Sequence, residues 1–425
     1  EAVGSTRSRL PAEWTVRLLD AAGRPREALS LRIRIIAARD RRADHQRFAL
    51  EMTTALEQVD ALGLGPVDPD RLTLQLLDVS AAARRSDPGV LARAQELAQR
   101  AEGGQAWSVA GEAWRQLAVR WRTQGRPEDS LVPLEAAERA FSRSADTVGL
   151  ARTWHSRGLA LRELARFEDA LDVMLRAAEA AEPLDVLVAC RALSDRADLL
   201  QWVTRWDEAQ ADIDRCLALA ATAPRGEQRR LGRTEQLQLW IAQGKLESAR
   251  ELADALIEDF RFLGAGTQLA GVLMLAGEVH RFLGDLDRAE DLYRQTQAIY
   301  DALESPMALI ARANLAILEY LRGRIDDSFE DLDDLCEEAA SGQIRWLAEP
   351  MRLARAPAAA ALGKWDLVDD VLDALETQAA GGGRMDLDAL WVSRELARLA
   401  RGSGDPQRRL RVTRLITAVE ARLAP

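Results

Sequence analysis

The stretch that decides the fold is Ala276–Pro306, AGEVHRFLGDLDRAEDLYRQTQAIYDALESP. It predicts a helix, a tight turn at Gly284 and a second helix, because glycine readily adopts the left-handed conformation that ends a helix. The proline at its end predicts a stop, since proline cannot continue a helix. Gly277 and Ala289 are small and lie where two antiparallel helices would touch. The stretch therefore predicts a helical hairpin.

The same turn recurs along the chain at intervals of 39 or 40 residues. The turn positions are Gly125, Ala165, Thr204, Gly244, Gly284, Gly323 and Gly363. The fifth position after each turn is nearly always small, in the series Ser130, Ala170, Ala209, Ala249, Ala289, Ser328 and Val368. One hairpin cannot cover its own apolar face, but a stack of hairpins buries a continuous core. The repeat therefore predicts an all-α fold, an α-solenoid.

The repeat frame also divides the chain. A turn at Gly23 marks a first hairpin, and 22 extra residues separate it from the regular series. They predict one inserted amphipathic helix over 42–62, whose apolar face is Phe48, Met52, Leu56 and Val59. The predicted domains are an N-terminal helical hairpin (1–41), the inserted helix and its loop (42–68), a continuous solenoid (69–383) and a C-terminal capping hairpin (384–425).

Composition excludes several classes of protein. The net charge of −11 argues against bulk nucleic-acid binding, which depends on basic residues that neutralise phosphates. No run approaches the ~18 apolar residues of a membrane span, and no signal peptide opens the chain. Three cysteines without a close pair are typical of reduced thiols, so we expect a cytoplasmic protein. Because the chain begins with Glu1 instead of Met, we expect it to be part of a longer gene product or to follow a cleavage.

No motif of catalysis or cofactor binding is found in the sequence. It has no phosphate-binding glycine–lysine loop, and its three histidines lie far apart, so neither a cofactor nor a metal site is expected. The remaining enzymatic alternative is a nucleophilic pair formed by His155 and Cys190, one repeat apart. We favour the interpretation that Cys190, Cys216 and Cys336 are small buried hydrophobic residues. The sequence predicts that this chain is not an enzyme.

These hairpins resemble the tetratricopeptide repeat. The residues that carry the resemblance are Trp154, Gly158, Leu161, Phe167, Ala170, Met174, Ala177 and Pro183, and, in a second hairpin, Gly277, His280, Leu286, Ala289, Tyr293 and Pro306. The resemblance implies a right-handed superhelix of about ten hairpins plus the inserted helix. Units of 39–40 residues exceed the usual 34 and are similar to the arrays of bacterial signalling proteins. The last third looks most like the C-terminal arrays of large bacterial serine/threonine kinases and STAND-type ATPases.

In this family the first helix of each hairpin lines a concave groove that binds a partner. Matching positions give a basic end and an apolar end, so the expected ligand is a protein or peptide with acidic and apolar residues. The candidate groove residues are Arg115, Arg122, Arg152, His155, Arg162, Arg191, Arg281, Asn314 and Tyr320. Asn314 resembles the family's groove asparagine, which holds the backbone of a bound peptide. The alternative is that the arginines solvate a face or pair with Asp195 and Asp198, and that the leucines pack against neighbouring units.

Three functions follow from these patterns. The first is a protein-interaction or sensory scaffold, part of a larger bacterial signalling protein. The second is a free-standing regulator that responds to a peptide. The third is an enzyme or a protease-associated subunit. The sequence also leaves open a homodimer formed through one end of the array.

Overall fold

The structure is a computed structural model, and it describes residues 12–40, 45–84, 87, 89–222, 226–264, 266–341, 347–382 and 386–423. Within these ranges the regular secondary structure is helical, which confirms the all-α solenoid. None of the helices in these ranges combines the length and the apolar character that crossing a membrane requires.

The helices succeed one another in antiparallel pairs. Their bounds are α1 Ala12–Ala21, α2 Pro25–Asp40, α3 His45–Ala61, α4 Pro69–Arg84, α5 Val90–Gly103, α6 Trp107–Thr123, α7 Pro127–Arg143, α8 Thr147–Glu163, α9 Phe167–Ala181, α10 Val186–Trp202, α11 Trp206–Ala221, α12 Glu227–Ala242, α13 Leu246–Leu263, α14 Gly266–Leu283, α15 Leu286–Ala302, α16 Ala308–Leu321, α17 Ile325–Ser341, α18 Ala348–Ala361, α19 Asp369–Thr377, α20 Leu387–Gly402 and α21 Pro406–Leu423. A 3₁₀ turn, Trp365–Leu367, precedes the short α19, and a π-helical turn, Gln378–Gly382, follows it.

The turn positions of the repeat all have the predicted left-handed backbone. The five glycines of the series have φ between 70° and 86°, and the two exceptions, Ala165 and Thr204, have φ of 56° and 59°. A Cβ atom is sterically unfavourable in this conformation, so the packing of the two hairpins must stabilise these two turns against that local cost. The period of the array overrides the local preference of the residue at the turn.

The small residues five positions after the turns are the contact points of the hairpins. All seven members of that series, from Ser130 to Val368, are completely buried. In the hairpin of α14 and α15, the missing side chain of Gly277 makes room for the ring of Tyr293, which is also completely buried. The close approach that the sequence predicts for these hairpins is confirmed.

The chain forms two compact units, unit 1 (residues 1–188) and unit 2 (residues 189–425), and the division falls inside α10. Within each unit, apolar clusters are shared between successive helices. One cluster of unit 2 joins Met274 of α14, Tyr293 of α15 and Leu318 of α16. The repeat pattern does not mark this division, and the predicted domain boundaries remain predictions.

The inserted helix of unit 1 is present as α3, although its first predicted residues lie outside the described ranges. Phe48, Met52 and Val59 are buried as predicted, but Leu56 is exposed and Ala55 is buried in its place. At about 100° per residue, Ala55 lies about 20° from Phe48 around the helix, whereas Leu56 lies about 80° away. The prediction for Leu56 was wrong because the buried face is narrower than the apolar pattern.

The two turn types make a matched pair of substitutions. Ala165→Gly is expected to stabilise the protein by about 1 kcal/mol, because glycine removes the left-handed penalty at the cost of some entropy in the unfolded chain. Gly125→Ala is expected to destabilise by about the same amount, since a Cβ at Gly125 would meet no neighbouring atom and only its backbone conformation matters. Urea denaturation of both variants measures this, and changes of the same sign would contradict it.

Candidate functional site

The candidate site lies on the first helices of the hairpins. We call inner face the side of these helices that carries the positions three and nine residues before the turn. In unit 1 it belongs to α6 and α8, and in unit 2 to α12, α14, α16 and α18.

The arginines on the inner face of unit 1 are partly exposed and form ion pairs. Nη2 of Arg115 lies 2.6 Å from Oε1 of Glu112, one turn earlier on α6. Nη1 of Arg122 lies 2.5 Å from a carboxylate oxygen of Glu163, at the end of α8. Nη2 of Arg152 lies 3.3 Å from Oδ2 of Asp185, and its side chain is 42% exposed. These arginines therefore pair with acids other than the two named in the alternative interpretation, and at Arg152 the pair leaves the guanidinium partly open to solvent.

A hydrogen bond of Gln116 joins this face of α6 to its neighbour α4. The side-chain amide of Gln116 donates to Oγ of Ser80 at 2.6 Å and to Oε1 of Glu112 at 3.1 Å. Burial acts to raise the pKa of Glu112, but the charge and hydrogen bond of Arg115 outweigh it and lower that pKa. Glu112 is therefore an ionised carboxylate, and the surface around it is a network of mixed charge.

The remaining candidates on the first helices differ in exposure. His155 and Arg162 are partly buried on α8. Arg191 of α10 is exposed, with Nη2 at 2.9 Å from Oε1 of Glu227 on α12. Their role in partner binding remains a prediction.

Three of the four predicted groove residues of unit 2 are buried, whereas Arg191 is exposed. Arg281, Asn314 and Tyr320 have only 4%, 6% and 8% of their surface exposed. The amide of Asn314 donates to the sulfur of Met274 at 3.3 Å, so it is directed to the neighbouring repeat. Met274 and Ile317, on the same two helices as Arg281 and Asn314, are also buried in the core. The inner face of unit 2 is therefore covered at these positions.

What covers Arg281 and Tyr320 is the C-terminal hairpin, through side chains of α20. A guanidinium nitrogen of Arg281 forms an ion pair with Asp388, 107 positions later. The hydroxyl of Tyr320 donates to Oε1 of Glu395 at 2.5 Å, and its ring meets that of Trp391 edge to face with centroids 6.1 Å apart. The guanidinium carbon of Arg281 lies 5.7 Å from the centroid of the Trp391 ring.

The electrostatics of these contacts favour the charged forms. Burial acts to lower the pKa of Arg281, but the charge of Asp388 outweighs it and raises that pKa, so the guanidinium remains a cation. A hydrogen bond from Arg398 lowers the pKa of Glu395, with a smaller contribution from Tyr320. Burial, and then Glu395, raise the pKa of the Tyr320 hydroxyl. Tyr320 is thus a neutral donor to an ionised acceptor.

Sequence reasoning missed Asp388, Trp391 and Glu395. A signal was present in LDALWVSRE, where these residues recur at helical spacing on a different stripe from Ala389, Val392 and Leu396. A tryptophan on the second stripe of a helix in the C-terminal capping hairpin indicates a further contact.

The three cysteines lie in unit 2, and two of them are buried, as expected for small hydrophobic residues. Cys190 and Cys216 are buried against each other, with Sγ of Cys190 3.6 Å from the carbonyl oxygen of Cys216. The neighbouring thiol and burial raise the pKa of Cys216, so its reactive thiolate is disfavoured. Cys336 is partly buried, and burial raises its pKa as well.

Comparison with known proteins supports the fold. No protein-family model matches the sequence, and a search of the curated proteins gives no match. Among solved structures, a Rap protein in complex with Competence and Sporulation Factor shares 13% identity at a TM-score of 0.55, over 93% of this chain and 98% of that one. A STAND protein with a tetratricopeptide repeat sensor from Pyrococcus horikoshii shares 15% identity at a TM-score of 0.49, over 82% of this chain and 52% of that one. The apo form of RapI shares 10% identity at a TM-score of 0.45, over 93% and 98%.

At these identities the likeness to the Rap protein concerns the fold alone. Together with hairpins that repeat every 39 or 40 residues, it confirms the resemblance to tetratricopeptide-type arrays.

Proposed function

We propose that this chain is a protein-interaction scaffold that binds a segment of a partner protein or a peptide on the inner faces of its first helices. In this proposal it is the regulatory part of a bacterial signalling system and works in the cytoplasm. The observation that carries the proposal is the row of arginines that unit 1 presents on successive first helices, α6 and α8.

These arginines suit an acidic ligand. A guanidinium can grip a carboxylate with two parallel hydrogen bonds. The ion pair of Arg152 with Asp185 is partly exposed, and such pairs are worth only about 0–1 kcal/mol, so a carboxylate of a partner can replace Asp185 at low cost. The Rap protein, which has a similar fold, was crystallised with a bound factor, and this supports the idea that such an array holds a ligand.

The test reverses charge on the inner face of unit 1. The full chain carrying Arg122→Glu, Arg152→Glu and Arg162→Glu serves as bait in bacterial lysate, and the captured proteins are quantified by mass spectrometry. A matched control carries three reversals on or beside the second helices, Arg139→Glu, Arg143→Glu and Arg166→Glu, whose side chains are exposed. Net charge changes equally in both variants, so general electrostatic effects cancel.

We expect the inner-face variant to capture at least about tenfold less of a specific partner than the unaltered chain. This corresponds to a loss of roughly 1.4 kcal/mol in the free energy of binding. The control is expected to retain that partner at the level of the unaltered chain. Equal capture by the two variants would show that the arginines of unit 1 do not bind the partner.

A further inference from the structure

The C-terminal hairpin, formed by α20 and α21, contacts earlier helices of unit 2 at three points that lie far from it in the sequence. Asp388 pairs with Arg281 near the end of α14, and Glu395 accepts from Tyr320 near the end of α16. At the far end of the hairpin, Nη2 of Arg422 donates to the backbone carbonyl of Trp202, 3.3 Å away at the end of α10. Each contact joins the hairpin to the last turn of a different first helix.

Ordinary stacking of repeats does not require these contacts. Helix α20 packs against α18 and α21 with a stripe formed by Ala389, Val392, Leu396 and Ala400, and Trp391 is partly buried against the same apolar cluster. The second stripe of α20 carries an acid, a tryptophan and an acid, at Asp388, Trp391 and Glu395. We call it the acid–Trp–acid stripe. Because the spacing of i, i+3 and i+7 places the three on one side of a helix, they reach the inner face together.

The acid–Trp–acid stripe is chemically complementary to Arg281 and Tyr320 on the inner face of unit 2. Arg281 offers a buried cation, and its side chain is only 1% exposed. Tyr320 offers a hydroxyl donor and a ring face for Trp391. A partner segment has to present carboxylates and an aromatic ring at the same positions to replace these contacts.

We propose that the acid–Trp–acid stripe of α20 is an internal ligand of unit 2, and that a partner helix with a carboxylate, an aromatic residue three positions later and a carboxylate seven positions later competes with it. This inference rests on the proposed function, and it adds the regulation of the site and the kind of partner. A tethered segment acts at an effective concentration of about millimolar, so the partner must bind more tightly than that to displace it.

The test uses the full chain and a synthetic peptide of residues 386–402, DLDALWVSRELARLARG, labelled with fluorescein. Binding is followed by fluorescence anisotropy. The opened variant carries Asp388→Asn, Trp391→Ala and Glu395→Gln, which remove the contacts of α20 with Arg281 and Tyr320 and keep Ala389, Val392, Leu396 and Ala400. Arg401→Ala, at an exposed position of the same helix, is the control.

The opened variant is expected to bind the peptide at least about tenfold more tightly than the unaltered chain, because internal competition is gone. Arg401→Ala is expected to bind like the unaltered chain. A peptide with the same three changes is expected not to bind, and Arg281→Met in the opened variant is expected to abolish binding. Glu395→Gln alone keeps the size of the side chain, so it gives a smaller gain in a chain that is folded like the original.

Equal affinity of the opened and unaltered chains, or equal binding of both peptides, would overturn the inference. The two proposals fail separately. If the arginines of unit 1 still govern partner capture while opening brings no gain in peptide affinity, only the internal ligand is refuted. If opening increases peptide affinity while the unit 1 arginines have no effect, the binding site lies in unit 2 and the proposed use of unit 1 is refuted.

Discussion

Asp388→Ala is expected to lower the free energy of unfolding by about 3 kcal/mol, because it leaves Arg281 as a buried cation without its partner. The side chain of Arg281 is 1% exposed, whereas that of Asp388 is 34% exposed. The loss is limited by the free energy needed to move α20 away, since that movement lets water reach Arg281. We therefore place the value at the low end of the range for broken buried pairs.

Two further variants separate this buried pair from ordinary surface charge. Asp291→Ala breaks an exposed pair with Arg288 on α15 and is expected to cost about 0.5 kcal/mol. The double variant Arg281→Met with Asp388→Leu is expected to cost less than Asp388→Ala alone, because apolar groups of similar size replace the pair without leaving a buried charge. Urea denaturation followed by circular dichroism measures all three, and hydrogen exchange of the α20 amides shows whether that helix opens first. A cost of Asp388→Ala no larger than that of Asp291→Ala would contradict the role of Arg281.

Gly277→Ala is the second large effect, and it is expected to destabilise the protein by about 1–3 kcal/mol through overpacking. A Cβ at this position would lie 2.7 Å from Cδ1 and 2.9 Å from Cζ of Tyr293. That ring is completely buried, so it has no free space to move into. Because Tyr293 also lies beside Arg281, a shift of the ring disturbs the buried cation as well.

The same helix offers a matched control. Gly271 of α14 has no atom near the position of an added Cβ. Gly271→Ala is therefore expected to stabilise by about 0.5–1 kcal/mol, the usual gain of alanine over glycine inside a helix. Opposite signs for the two substitutions in urea denaturation would locate the close contact of the hairpin at Gly277. A stabilising Gly277→Ala would show that α14 and α15 do not pack closely there.

Much of the fold could be predicted from the sequence because the signals that specify it are local. The turn at Gly284 and the buried contact at Ala289 lie within one hairpin, and both are as predicted. Even Ala165 and Thr204, poor residues for a left-handed turn, were correctly placed by the period alone. A wrong assignment, as at Leu56, arose where the width of a buried face depends on what packs against it.

The candidate site could be predicted only in part. The repeat pattern predicted which residues lie on the first helices, among them Arg122, Arg152, Arg281 and Tyr320. Whether a given position is open or covered depends on other parts of the chain. Arg122 is partly exposed, whereas Arg281, named by the same rule of three positions before the turn, is buried.

The sequence by itself therefore determined the repeat, the turns and the hairpin contacts, because each depends on residues within about 40 positions of one another. Only the tertiary structure decided that α20 covers Arg281 and Tyr320 on the inner face of unit 2. Asp388 lies 107 positions from Arg281, and Glu395 lies 75 positions from Tyr320. The physical reason is that each repeat is rotated slightly against the previous one, and these small rotations add up along an array. No local sequence pattern specifies the total rotation over several repeats. The sequence therefore predicts which side of each helix faces inward, and the tertiary structure decides which helices meet.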